Sequence, residues 1–225
     1  MIVNTKKHLQ NMLREIENEV SFTQRYIGKD KLDPKVMRAM RSVPRHEFVP
    51  DNQQVLAYMN GPLSIGHGQT ISQPYIVALM TDLLEVNENS VVLDIGTGSG
   101  YQAAVLACFV KQVYTMEVIP ELLETAQRRF DKLGYKNIET KLGDGHQGWP
   151  EHAPYDGIIV SAAASEIPEA LVDQLKPDAR LVIPVGMHYG PQELIVVHKD
   201  QQGKVIDRDV LAVAFVPLVK TGSFH

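Results

Sequence analysis

A chain of 225 residues, 44% hydrophobic and 22% charged, has the make-up of a globular domain that buries a continuous core without disulfides or a structural metal. Its 27 acidic residues outnumber its 22 lysines and arginines, for a net charge of −5. The signs are interspersed, so no broad basic face is on offer to a nucleic-acid backbone.

The single cysteine, Cys108, forms no internal disulfide, and no cysteine–histidine cluster has metal-ligand spacing. No apolar run approaches the ~20 residues that span a bilayer, and the N-terminus lacks the apolar core of a secretory signal. Neither nucleic acid, membrane nor metal is expected as a partner, and the cytoplasm is the expected compartment.

Residues 3–26 place Leu9, Met12, Leu13, Ile16 and Val20 on one helical face, and Gly28 marks its end. Asp33-Pro34 is an N-cap and N1 pair for a second helix to about Ser42. Pro44 and Pro50 break the chain into the connector "SVPRHEFVPDN". Residues 60–73, "NGPLSIGHGQTISQ", show neither helical nor strand periodicity and read as a structured loop. Pro74 then opens the helix "PYIVALMTDLLEV", with Ser72 or Gln73 near its cap.

From residue 90 the rhythm changes to short Val- and Ile-rich runs alternating with helical segments. "SVVLDIG", "QVYTMEV", "NIETKLG", "YDGIIVSA" and "RLVIPVG" read as strands, and "YQAAVLACF", "PELLETAQRRFDKLG" and "IPEALVDQL" as helices. "QELIVVHKD" and "LAVAFVPLV" have no helix between them and read as a hairpin turning at "DQQGK". The expected fold is α/β: a doubly wound, mostly parallel seven-stranded sheet with helices on both faces, a closing antiparallel hairpin and an N-terminal helical extension. One domain is expected over 1–225, with a helical subdomain at 1–59, a loop and helix at 60–89, and a Rossmann-like core at 90–219.

The most specific local signal is "VLDIGTGSGYQ". Gly96, Thr97, Gly98, Ser99 and Gly100 fill the turn between the first core strand and its helix, where glycine lets backbone pass close under a ligand. Glu117 closes the second core strand, placed to accept hydrogen bonds from both ribose hydroxyls. Nicotinamide and S-adenosylmethionine enzymes share this layout. Dinucleotide binders favour G-x-G-x-x-G, whereas this chain has G-x-G-x-G with Asp94 two residues ahead, which points to S-adenosylmethionine. Asp144 and Gly145, after the third strand, sit where a side chain and backbone meet an adenine edge, although Asp-Gly is also an ordinary turn.

The segment "PLSIGHGQTISQPYIVALMTDLL" resembles the protein-L-isoaspartate O-methyltransferase family, whose bacterial members carry a nearly identical "IG-x-GQTISQP" string. The resemblance continues through "VPRHEFVP", "LDIGTGSGYQ", "GDGHQGWP", "YDGIIVSAAASEIPEALVDQL" and "FVPLV", in the family's order. It implies methyl transfer from S-adenosylmethionine, leaving S-adenosylhomocysteine, to the free carboxylate of L-isoaspartyl residues in damaged peptides and proteins, which initiates their repair. By the same resemblance, Ser72 matches the active-site hydroxyl, and Gln69, Thr70, Ile71 and Ser72 the segment over the cofactor. Gly96 to Gly100, Glu117, and Asp144 with Gly145 match the remaining cofactor contacts.

Departures occur at Val77 and Val219, where animal members carry histidine and threonine, and at Ala214, where bacterial members often carry arginine. Read without the family, Ser72 is a hydroxyl suited to capping a helix, and His67 is a loop residue rather than a base. A methyltransferase for small metabolites, a nicotinamide oxidoreductase and a non-catalytic binding protein are the competing readings. Oligomeric state is not legible.

Overall fold

The computed structural model describes residues 5–187 and 190–220. Helix α1 spans Thr5–Ile27 and buries Met12, Leu13, Ile16, Val20 and Ile27, the stripe its spacing predicts; residues 3 and 4 of the expected helix lie outside the described residues. Gly28 ends it at φ +70 with its N–H on the Gln24 carbonyl, a position that suits glycine. Helix α2, Pro34–Ser42, is capped by Asp33, whose carboxylate accepts from the Lys35 N–H.

Helix α3, Pro74–Leu83, is buried on nearly every side. Its Asp82 accepts from the Lys29 ammonium and from the Asp33 N–H, both at 2.6 Å. One carboxylate therefore ties α3 to the start of α2.

The stretch expected to be a structured loop is a small hairpin: β1, Leu63–Gly66, pairs antiparallel with β2, Gln69–Ile71. Strands of four and three residues are too short to display alternation. The turn is forced by Gly66, His67 and Gly68, all at positive φ, a conformation natural for glycine and uncommon for histidine.

The main sheet consists of β3 (Val91–Ile95), β4 (Gln112–Glu117), β5 (Ile138–Leu142), β6 (Tyr155–Val160), β7 (Leu175–Gly186), β8 (Gln192–Lys199) and β9 (Val205–Val213), interleaved with α4 (Tyr101–Ala107), α5 (Pro120–Leu133) and α6 (Glu169–Asp173). The strand order is β5-β4-β3-β6-β7-β8-β9, parallel from β5 to β7, with β8 antiparallel to both neighbours. The chain starts at β3, winds outward to β5, then returns to the other side of β3. That reversal opens a crevice at the carboxyl ends of β3 and its neighbours, where doubly wound sheets bind ligands.

Alternation along the central strands feeds two cores. Val92, Val113, Ile159 and Val182 pack with residues of α1 to α5, while Leu93, Met116, Ile158 and Leu181 pack on the other face with Leu171 of α6, Trp149 and Tyr155. Central β3 and β6 are buried on both faces, as covered parallel strands must be.

One strand differs from its expected position. The hairpin turns at residues 200–204 as anticipated, but β9 is the polar stretch from Val205 to Val213, not "LAVAFVPLV". Register from the turn pairs Lys199 with Val205 and Gln192 with Val213, so the strand is consumed before the most apolar residues arrive. Those residues, Ala214 to Val219, leave the sheet edge and cross back over the crevice. Ala163 donates its N–H to the Val216 carbonyl at 2.8 Å, and Leu218 donates to the Ala163 carbonyl at 2.7 Å.

Candidate active site

Above the carboxyl ends of β3, β4 and β6 lies an open cleft, at the place where doubly wound sheets bind ligands. Its floor is the glycine loop. Gly96, Thr97, Gly98 and Ser99 line it, and Gln69, Thr70, Ile71 and Ser72 form the opposite wall. The loop hangs from β4: Gly96 and Thr97 both donate N–H groups to the Met116 carbonyl, at 2.9 and 3.0 Å.

Gly100 does not reach the cleft. It stands at φ +89 before α4, where a Cβ would press on the Phe130 ring at 2.8 Å. It lets the first core helix close down on α5.

Glu117 is almost fully buried at the cleft wall. Its Oε2 accepts the Gly98 N–H at 2.7 Å, and its Oε1 accepts those of Val118 and Ile119 at 2.9 and 3.1 Å. Three backbone donors hold the carboxylate in place with its charge satisfied.

Beneath the loop, Asp94 is fully buried. Its Oδ2 accepts from the Thr115 hydroxyl at 2.8 Å, which in turn lies 2.7 Å from the Thr97 hydroxyl. Its Oδ1 has no partner among the described residues. Burial, with the neighbouring Glu117 charge adding to it, pushes the Asp94 carboxyl up to about 7. An orphaned buried carboxylate oxygen below a glycine loop is a place for a ligand's cationic group.

At the third strand end the wall is formed by Gly143 and Gly145. A Cβ on Gly145 would collide with Ile95 and crowd Leu218, so the chain leaves room there only for backbone. The Asp144 carboxylate is engaged with its own turn, accepting from the His146 N–H at 2.9 Å and facing His146 Nδ1 at 2.8 Å. Sequence reasoning missed Tyr101, Gln102 and the crossing residues Val216 to Leu218 in the remaining wall, while Ser161 and Ala162, in a turn expected to grip the peptide, and Val219, a noted departure, also line it. Ile95, Met116, Ile119 and Leu218 make an apolar slot between these groups. A carboxylate for vicinal hydroxyls, an apolar slot and a glycine loop over a buried acid together fit a nucleoside that carries an amino-acid tail.

A second cleft adjoins the first. Thr70, Ser72, Ser161 and Val216 line both, so the two meet along a seam that includes Ser72. The outer cleft is walled by Pro62, Gln73, Ile76 and the backbone from Ala212 to Phe215, with no charged side chain among its lining residues.

Ser72 is half-buried, and its hydroxyl makes no hydrogen bond among the described residues. The capping role that its position alone invites is not made: Gln73 is the N-cap of α3 and gives no side-chain bond, while Asn60 accepts the Tyr75 N–H at 3.1 Å. His67 is exposed at the hairpin tip and lines neither cleft.

A seven-stranded sheet with one antiparallel strand near its end, a glycine loop after its first strand and an acid after its second define a class I methyltransferase. The sequence profile described as protein-L-isoaspartate(D-aspartate) O-methyltransferase matches residues 17–223, and the chain belongs to that family.

Among similar sequences, a protein-L-isoaspartate O-methyltransferase 2 of Nitrosococcus oceani is 58% identical over 95% of this chain and 96% of its own. That of Syntrophobacter fumaroxidans is 58% identical over 92% and 84%. A solved protein-L-isoaspartate O-methyltransferase superposes with a TM-score of 0.80 at 25% identity, covering 95% of this chain and 66% of that one. A Plasmodium falciparum chain, solved as a beta-aspartate methyltransferase (PCMT) in complex with S-adenosyl-L-homocysteine, gives 0.73 at 27% identity over 92% and 97%. No helix among the described residues is long and apolar enough to cross a membrane.

Proposed function

We propose that this chain methylates the free carboxylate of L-isoaspartyl residues in damaged peptides and proteins, with Ser72 as the catalytic residue that orients the acceptor. The observation that carries the assignment of Ser72 is that it lines both clefts while its hydroxyl is uncommitted among the described residues. S-adenosylmethionine, the cofactor, supplies an electrophilic methyl on a sulfonium and departs as the neutral thioether of S-adenosylhomocysteine.

The inner cleft would hold it in three places. Glu117 would take the ribose hydroxyls, the Gly96–Ser99 loop above Asp94 the amino-acid end, and Gly145, with Asp144 behind it, the adenine edge. Gln69 to Ser72 close over the reacting end.

The acceptor carboxylate has an unperturbed pKa of about 4 and is already ionised at neutral pH. No general base is required, which fits a seam where His67 plays no part. The protein's work is to hold two reactants in line, and orientation of that kind supplies ~7–11 kcal/mol. The Ser72 hydroxyl donates to the carboxylate beside the N-terminus of α3, where the helix dipole favours negative charge. Water leaves the carboxylate as it enters the seam, and fixed donors replace part of its hydration.

The neutral outer cleft offers the flanking peptide main-chain and small-side-chain contacts. It reads the extra main-chain methylene of the isomer rather than neighbouring charges, because a normal aspartyl backbone would leave buried polar groups unpaired. Substrates must therefore be locally unfolded. A cytoplasmic setting suits a chain with one cysteine and no structural disulfide.

The deciding experiment is transfer of labelled methyl from S-adenosylmethionine to one peptide made with isoaspartate or aspartate at the same position. Base-labile label on the isoaspartyl form alone is the expected result. Label on neither peptide, from a protein that binds S-adenosylmethionine, would overturn the substrate and keep the cofactor.

A further inference from the structure

The connector "VPRHEFVP" has no role in the mechanism so far, yet it contains the largest fully buried side chain among the described residues, Arg45. Its guanidinium reaches two peptide carbonyls from different parts of the chain: Nε donates to Ala57 at 2.8 Å, and Nη2 donates to Ser72 at 2.7 Å. Its Cζ lies 4.8 Å from the centroid of the Tyr101 ring, and Phe48, from the same turn, meets that ring edge-on at 5.5 Å. Nη1 has no partner.

No carboxylate forms an ion pair with Arg45 among the described residues. Burial pulls the group down to about 10, so it stays charged at neutral pH. A buried cation without a counter-ion is costly, and an apolar side chain of similar volume would serve packing alone at least as well.

What an apolar side chain cannot do is join those three places. Ser72 forms the acceptor side of the reaction cleft, and Tyr101, which follows the glycine loop, forms part of the cofactor side. The planar fork of arginine grips one carbonyl from each of two segments while its face rests on an aromatic ring, a geometry lysine does not reproduce. We propose that Arg45 is a positioning residue for methyl transfer: it fixes the Ser72 peptide against Tyr101 and so sets the spacing between acceptor and methyl donor. This rests on the assignment of Ser72 made above. In-line transfer is sensitive to such spacing, a misplacement of about 1 Å costing about 100-fold in rate.

The test compares wild type, Arg45→Lys and Arg45→Met in steady-state methylation of the isoaspartyl peptide. Folded fraction is read from thermal unfolding, and S-adenosylhomocysteine affinity from calorimetry. Arg45→Met is expected to lower kcat about 100-fold and Arg45→Lys about 10-fold, with cofactor affinity within about threefold of wild type. A residue that only supports folding would lower the melting temperature and leave kcat of the folded fraction unchanged.

A folded variant with kcat within about twofold of wild type overturns the proposal, as does a parallel loss of cofactor affinity and rate. If Arg45→Met does not fold, Arg45→Lys decides, since it keeps the charge and one of the two bonds. Failure of Arg45→Lys to fold makes Arg45 a stability element and also overturns it. Wild-type protein inert toward the isoaspartyl peptide would instead sink the functional reading, and Arg45's assignment with it.

Discussion

Glu117 and Gly98 are joined by a 2.7 Å hydrogen bond from the glycine N–H to the carboxylate, so the acid of the second core strand and the loop of the first form one unit. Glu117→Gln puts an amide where three N–H groups converge, leaving at least one donor facing another. Charge-assisted bonds of this kind contribute about 1.5–3 kcal/mol. The expected outcome is a KM for S-adenosylmethionine raised about 10- to 100-fold, with kcat at saturation changed far less. Titration calorimetry with S-adenosylhomocysteine checks it, and equal affinities for variant and wild type would remove Glu117 from the cofactor site.

Ser72→Ala separates chemistry from binding. The hydroxyl has no structural bond to lose, so stability should stay within about 0.5 kcal/mol of wild type. A hydrogen bond to a charged acceptor is worth about 1.5–3 kcal/mol. Turnover is therefore expected to drop about 10- to 100-fold while cofactor affinity holds. Unchanged turnover would take Ser72 out of the mechanism.

Asp94 gives the protein a pH signature. Its folded-state pKa of about 7 lies above the ~3.9 of an unfolded aspartate. Between those values the folded form holds a proton that the unfolded chain has released. Stability from this group is thus greatest at low pH, falls as pH rises from about 4 to about 7, and is level above. Asp94→Asn removes that component and keeps an acceptor for the Thr115 hydroxyl. Melting temperatures of the ligand-free proteins should diverge between about pH 4 and about pH 7, the edges of that window, with the asparagine variant gaining on wild type as pH rises. Parallel curves would show that Asp94 ionises alike in both states.

The parts of the site that were legible in the sequence are short strings whose position follows from the strand they adjoin. Gly96 to Ser99 and Glu117 each follow from an apolar run that ends in a turn or an acid, and Gln69 to Ser72 from a motif beside a proline-led helix. Other parts depend on distant pairing. "LAVAFVPLV" is the more apolar string, yet the turn at 200–204 had already committed the polar residues from Val205 onward to the edge strand. An edge strand exposed along most of its length needs little hydrophobicity, so apolarity misplaced it. Ser161 reaches both clefts only because β6 lies beside β3. Arg45 reads as surface charge in a connector, and only the convergence of Ala57, Ser72 and Tyr101 buries it. Asp144 shows the opposite limit: the motif was visible, but its carboxylate closes a local turn with His146.

Gln192 tests whether the crossing segment governs cofactor exchange. Its buried side chain grips both backbone groups of Phe215: Oε1 accepts the N–H at 2.7 Å, and Nε2 donates to the carbonyl at 3.2 Å. It extends the ladder one step past the end of β9, just before Val216 to Val219 line the cleft. With Gln192→Ala the segment keeps its two bonds to Ala163 and leaves the Phe215 groups unpaired, at about 1–3 kcal/mol. Faster amide exchange at Phe215 and Val216 and an S-adenosylhomocysteine dissociation rate raised about 5- to 100-fold are expected, because that energy holds one wall of the site. Gln192→Glu keeps the acceptor for the Phe215 N–H but sets a carboxylate against its carbonyl, so it should lie between alanine and wild type if the N–H bond dominates. Faster amide exchange without faster ligand release would mean that the cofactor leaves by the Thr70–Ser72 side, and that the crossing segment is a wall rather than a gate.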